Sequence, residues 1–174
     1  TNSYAELVKG GETPNYYLEN VTAISAGFSH AMAIVQENGS QYAVAWGDNK
    51  FPNLSDTRGG QLGIGLSSTK QFNTPVYVKT SANTKINNVT AINAGCGVSY
   101  IEKSIGKKQN NQFYVCGYND DGQLGLGDKY DRNYATLLQS VEVPYCGSYS
   151  LESTKTLCTP LYYNIKIPFS LDSH

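Results

Sequence analysis

Apolar and polar residues alternate along this chain in short runs, broken every few positions by glycine, proline or asparagine. Val21-Thr22-Ala23-Ile24 and Met32-Ala33-Ile34-Val35 flank the turn-prone Ala26-Gly27-Phe28-Ser29, a pattern that predicts two strands and a tight connection. Glu37-Asn38-Gly39-Ser40 follows, and Asn-Gly supplies the two positive φ angles of a type I′ hairpin turn. Residues 42–46 are the return strand. The same reading applies further on, with strands over 98–102 and 112–116 around a longer polar tip, 103–111. No window sustains an apolar period of 3.6, so little helix is expected.

The two stretches are copies of one unit. Asn20-Val21-Thr22-Ala23-Ile24-Ser25-Ala26-Gly27 recurs as Asn88-Val89-Thr90-Ala91-Ile92-Asn93-Ala94-Gly95. Tyr42-Ala43-Val44-Ala45-Trp46-Gly47 corresponds to Phe113-Tyr114-Val115-Cys116-Gly117. Gly60-Gln61-Leu62-Gly63-Ile64-Gly65 corresponds to Gly122-Gln123-Leu124-Gly125-Leu126-Gly127. Three anchors in one order make an internal repeat, the signature of an array of supersecondary units. Gly47 and Gly60 are 13 residues apart, whereas Gly117 and Gly122 are five apart, so the first copy carries an insertion over 51–58. Insertions between matched anchors fall in loops.

The glycine-rich string, with Ala26-Gly27-Phe28-Ser29-His30, Trp46-Gly47 and Thr74-Pro75-Val76, resembles the regulator of chromosome condensation repeat family. The resemblance covers about 120 of the 174 residues. It implies an all-β fold: a partial β-propeller, with two clear blades and the flanking strands of neighbouring blades. Residues 1–19 would end a preceding blade, 20–80 and 81–140 would be the two blades, and 141–174 a degenerate third repeat or tail. The second copy departs from the pattern where Val98 replaces the His30 equivalent and Cys116 replaces Trp46, and its proline strand is degenerate at Tyr134-Ala135-Thr136-Leu137-Leu138. The resemblance makes His30 a recurring structural residue. Two or three blades cannot close a ring, and stacked repeats need neighbours or caps. The chain is therefore expected to be a segment of a larger propeller, or a subunit whose missing blades come from partner chains.

Composition narrows the function further. Net charge is -1, with 13 basic and 14 acidic residues, so no electrostatic footprint for nucleic acid is evident. No apolar run is long enough to span a bilayer as a helix. Cys96, Cys116, Cys146 and Cys158 lack Cys-x-x-Cys spacing; isolated cysteines in apolar strands are expected to be small buried hydrophobes, and Cys146 with Cys158 could pair under oxidising conditions. Asn-x-Ser/Thr triplets at Asn20, Asn38, Asn53 and Asn88 leave a secreted or cell-surface glycoprotein open beside a cytoplasmic, cytoskeletal or nuclear protein.

Candidate chemistry is sparse. The glycine string reads Gly-x-x-Gly-x-Gly with no helix signal after it and no P-loop lysine, so Gly60, Gln61, Leu62, Gly63, Gly65, Gly122, Gln123, Leu124, Gly125 and Gly127 are read as architecture, not as a phosphate cradle. In that role the leucines pack between sheets and the glutamine amide satisfies backbone groups in a tight loop. Gly27, His30, Trp46, Gly47, Gly95 and Gly117 complete the structural motif. Ser29 and His30 are strand neighbours and point to opposite faces, so they form no local pair. Asp120, Asp121 and Asp128 lack the ligand spacing of a calcium loop and are expected to be solvated turn residues. No catalytic residue, metal or cofactor is expected. The expected function is a non-enzymatic scaffold that binds protein partners through loops, with Phe51, Asn53, Asp56 and Arg58 on one and Lys103, Lys107 and Lys108 on the other. Nucleotide exchange on a small GTPase with chromatin attachment is the alternative that the resemblance implies.

Overall fold

In the computed structural model the described residues are 7–10, 17–50, 59–66, 71–106 and 111–138. They belong to the unit Thr1–Leu138; the other unit, Gln139–His174, lies outside them. None of the described residues is helical, and no helix among them is long and apolar enough to cross a membrane.

Among the described residues ten strands form two matching sheets and a small hairpin. The first sheet is an antiparallel meander of β1 (Val21–Ala26), β2 (His30–Glu37), β3 (Ser40–Asp48) and β4 (Gln71–Tyr77), hydrogen-bonded in that order. After the hairpin β5 (Lys79–Ser81) and β6 (Thr84–Lys85), the meander repeats as β7 (Val89–Ala94), β8 (Val98–Ser104), β9 (Asn111–Gly117) and β10 (Arg132–Leu137). These are two blades of a β-propeller. Glu37 pairs with Ser40 across Asn38 (φ 48) and Gly39 (φ 79), the two-residue turn that Asn-Gly favours. Pro75 lies in β4, which pairs with only one neighbour, so its missing N–H breaks no ladder. The strand β8 runs on through Ser104, two residues beyond the sequence expectation, so Lys103 lies within the sheet rather than in the tip.

Alternation along the strands builds the core. Met32 and Ile34 point to one face of β2, and Ala33 and Val35 to the other; all four are buried because both faces are at least partly covered. The main cluster lies between the blades. It joins Met32, Ile34, Ala43 and Ala45 of the first sheet to Ile101, Cys116 and Ala135 of the second, with Leu62, Val78 and Ile86 from the connections. Two smaller clusters occupy the outward faces: Ala33, Val35 and Val44, with Leu18 and Trp46 against them, and Val98, Val115 and Leu124, with Tyr100 and Leu126.

Candidate functional site

A buried chain of polar contacts sits inside the joint between the blades. His30 begins β2 and is 4% exposed; its Nε2 lies 2.8 Å from Ser99 Oγ on β8 of the other blade. The Ser99 hydroxyl donates to the carbonyl of Gln61 at 2.7 Å, and the Cys116 thiol points at the same oxygen at 3.7 Å. With the serine proton committed to the main chain, the hydrogen-bond network assigns the histidine proton to Nε2, which donates to Ser99. Burial holds the imidazole well below its ordinary value, at about 4, and pushes the Cys116 thiol up to about 12. Both groups are therefore neutral near pH 7. A nucleophilic pair needs the opposite polarity, with an unprotonated nitrogen accepting from the hydroxyl. The contact bridges the two blades. His30 finds its serine 69 residues away, not in its neighbour Ser29.

The first glycine string completes the joint. Gly60-Gln61-Leu62-Gly63-Ile64-Gly65 lies against β10 of the second blade: Gly65 N donates to Asn133 O at 2.7 Å and Ile64 bridges to Tyr134. Gly63 has φ 63, and a Cβ there would stand 2.8 Å from Val78 Cγ1 and 2.9 Å from Cys116 Sγ. Leu62 is fully buried, and Gln61 Nε2 donates to Lys50 O at 2.6 Å. The second string keeps the same backbone, with φ 67 at Gly125 and φ 80 at Gly127, but not the packing. A Cβ on Gly125 would meet only Leu138 at 3.5 Å, and one on Gly127 nothing within 4 Å. Here Gln123 Oε1 accepts from Asp121 N at 3.0 Å, Leu124 is buried in its own blade, and Tyr100 Oη donates to Gln123 O at 2.9 Å.

Two further residues hold both strings, and the sequence reading did not single them out. Asn49 Oδ1 accepts from Leu62 N at 3.1 Å, and Asn119 Oδ1 accepts from Leu124 N at 2.9 Å. Asn119 Nδ2 also donates to the carbonyls of Asp128 and Tyr130, at 2.9 and 3.1 Å, while Asn49 Nδ2 donates to Leu66 O at 2.6 Å. Both are fully buried. Their signal was present as Gly47-Asp48-Asn49 and Gly117-Tyr118-Asn119, a Gly-x-Asn repeated in register.

The remaining candidates are dispersed. Gly27 and Gly95 follow β1 and β7, where Phe28 N donates to Gly95 O at 3.2 Å across the joint, while Gly47 and Gly117 close the third strand of each blade. Trp46 packs partly buried on the outward cluster of the first blade. Phe51, Asn53, Asp56, Arg58, Lys107, Lys108, Cys146 and Cys158 lie outside the described residues. Lys103 Nζ donates to Asn87 Oδ1 at 2.7 Å. Cys116 is buried as expected, but Cys96 is exposed, because it falls in the turn after β7 and not in a strand. Asp128 pairs with Arg132 at 2.6 Å, and that guanidinium holds its carboxyl below the usual range. Among the described residues no group of three or more His, Cys, Asp or Glu side chains could hold a metal ion. An open polar depression of about 630 Å³ lies between the hairpin tips of the blades, lined by Gln36, Gln41, Asn88, Thr90 and Ser104.

No family model matches the chain. It is 27% identical over 134 residues to the ultraviolet-B receptor UVR8 of Arabidopsis thaliana, covering 77% of this chain and 26% of that protein. It is 33% identical over 91 residues to the human X-linked retinitis pigmentosa GTPase regulator, covering 52% of this chain and 8% of the relative. It is 28% identical over 121 residues to the probable E3 ubiquitin-protein ligase HERC4 of Rattus norvegicus, covering 70% and 10%. The chain thus spans about a quarter or less of these relatives' lengths. Among solved structures, human WBSCR16 matches with a TM-score of 0.50 at 20% identity, over 68% of this chain and 26% of that one. The three sequence relatives are regulator of chromosome condensation repeat proteins. With the anchors repeated in register and each copy folded as one four-stranded blade, the chain is similar in sequence and in fold to regulator of chromosome condensation repeat proteins.

Proposed function

We propose that this chain is a non-enzymatic propeller module that binds other proteins through loops at the blade rims, as a scaffold. It acts either as a segment of a larger propeller or as an assembly subunit. The observation that carries this reading is the division of labour in each repeat. The buried polar side chains His30, Gln61, Asn49 and Asn119 are spent inside the blades and their joint. What varies between the copies is the length of the loop after the third strand and the polar hairpin tips. Rigid blades carrying variable loops suit protein recognition. The insertion with Phe51, Asn53, Asp56 and Arg58 and the tip with Lys107 and Lys108 are the contact loops in this reading.

The second copy supplies the design of the test, because it joins Gly117 to Gly122 without an insertion. Deleting 51–58 brings Lys50 next to Gly59, residues that already bridge, and makes the first copy as short as the second. Partners cross-linked to the full chain in its native cell extract are compared between this variant and the parent. The expected result is loss of at least one partner at unchanged thermal stability. An identical partner set for the deletion and for Lys107→Glu/Lys108→Glu would overturn the reading. The likeness to a GTPase regulator favours a second reading, regulation of a small GTPase. Its assay is release of labelled nucleotide from small GTPases by the full chain, and no acceleration removes it.

A further inference from the structure

The first blade holds an ammonium group in a corner of two aromatic rings. Tyr42 on β3 and Tyr77 on β4 stand at an interplanar angle of 83°, with their centroids 5.9 Å apart. The Lys85 ammonium lies over both rings, 3.3 Å from the Tyr77 centroid and 5.9 Å from that of Tyr42. At such distances the negative face of a ring attracts a cation. Tyr77 Oη donates to Glu37 Oε1, which sets a carboxylate at the edge of the same ring. Burial, with that carboxylate beside it, pushes the phenol up to about 12, so near pH 7 the ammonium meets a neutral ring and not a phenolate.

The repeated unit does not need this corner. Counted back from Gly47 and Gly117, Val44 corresponds to Tyr114, so Leu137 holds the place of Tyr77 in the second blade, and Gln112 that of Tyr42. Its walls are also better fixed than its occupant. Both rings pack against the outward cluster of the first blade. Next to Lys85, Ile86 is 1% exposed and its N–H donates to Val78 O at 3.0 Å, whereas the lysine itself is exposed. The Lys85 side chain can therefore swing off the rings while its backbone stays in place.

We infer that this corner is a binding site for an alkylated ammonium, the trimethylated lysine of a partner protein, which displaces Lys85 from the rings. An ordinary lysine has the chemistry of Lys85 but not its tether, and a tethered group competes at an effective concentration on the order of millimolar. A trimethylammonium carries the same charge with a weaker hold on water, and aromatic corners recognise quaternary ammonium groups for that reason. Glu37 supplies the counter-charge. That the occupant belongs to a protein rests on the reading above; the site itself uses no residue of either contact loop.

The test uses the full chain and blocked Nε-trimethyllysine as the probe, with its N-methyl signal followed by saturation-transfer NMR through a titration. Lys85→Gln removes the internal occupant at an exposed side chain and is expected to tighten binding about tenfold, as for a site that is occupied roughly nine-tenths of the time. In that background Tyr77→Leu, which copies the second blade, is expected to weaken binding about tenfold, and Tyr77→Phe, which keeps the ring, to retain it. The carbon isostere of the probe, with a tert-butyl group in place of the trimethylammonium, is expected to bind about tenfold more weakly than the probe. Thermal unfolding is the folding control, and the isostere and Tyr77→Phe arms stand even if Tyr77→Leu fails to fold. Absence of millimolar binding to Lys85→Gln, no gain over the parent, an isostere that binds as well as the probe, or indifference to Tyr77→Leu would each overturn the inference and leave Lys85 as an internal clamp. Probe binding with a partner set indifferent to the loops would sink the loop reading and spare the site; loop-dependent partners without probe binding would do the reverse.

Discussion

Acid should loosen the blade joint through a single histidine, and the size of the effect follows from its burial. His30 is neutral in the folded chain, with its pKa held at about 4, whereas the unfolded chain carries an ordinary histidine at 6.5. Between these values the unfolded state binds the extra proton and the folded state does not. Stability therefore falls as pH drops through 6.5 and stops falling for this group below about 4, where both states are protonated. The separation corresponds to about 3 kcal/mol. That is a large share of the roughly 5–15 kcal/mol that holds a domain folded. Urea unfolding followed by the fluorescence of the single Trp46, at pH 7 and at steps down to 4.5, measures it. Carboxylates also titrate at the lower end, so the informative quantity is the difference from His30→Val. At pH 7 that substitution costs about 1 kcal/mol for the lost bond to Ser99, which keeps its own acceptor, Gln61 O. Ser99→Ala costs about 1–3 kcal/mol, because it strands the His30 N–H in the interior. The double variant removes both partners together and should cost less than the sum of the singles. Parallel pH profiles for the parent and His30→Val would refute the assignment of a neutral, buried imidazole in the joint.

The two glycine strings should respond differently to the same change. Gly63→Ala and Gly125→Ala share the strain of a left-handed backbone, but only the first collides with Val78 and Cys116, so its loss in urea unfolding should exceed the second's by about 1–3 kcal/mol; equal losses would mean the first string does not pack on the second blade. Asn119→Asp should destabilise more than Asn49→Ser at pH 7, since it sets a carboxylate against the carbonyls of Asp128 and Tyr130, and the deficit should shrink toward pH 4; chemical denaturation at the two pH values decides it. Cys96 should react with a maleimide in the native protein, while Cys116, with its thiol pushed up to about 12, should react only on unfolding. Peptide mapping after brief labelling reads both, and rapid labelling of Cys116 would show that the joint opens in the native state.

Repeat, blade and hairpin were legible in the sequence because each rests on neighbours along the chain. Alternating apolar positions, Asn38-Gly39 and the glycine strings act through local backbone geometry, which a linear reading captures. Asn49 and Asn119 were legible in principle, through a repeated Gly-x-Asn, but a lone asparagine in a turn carries no mark of the buried carbonyls it will meet. The partner of His30 was not legible at all. Ser99 lies 69 residues away and meets it only because one sheet stacks on the next. The same stacking decides that Gly63 is hemmed in and Gly125 is not, although their strings differ by one aliphatic residue. The sequence by itself determined which residues make a blade, since strand and turn propensities are local and the copies agree. Only the tertiary structure decided which residues meet across the joint, because burial is a property of what lies across a sheet and not of what lies along the chain.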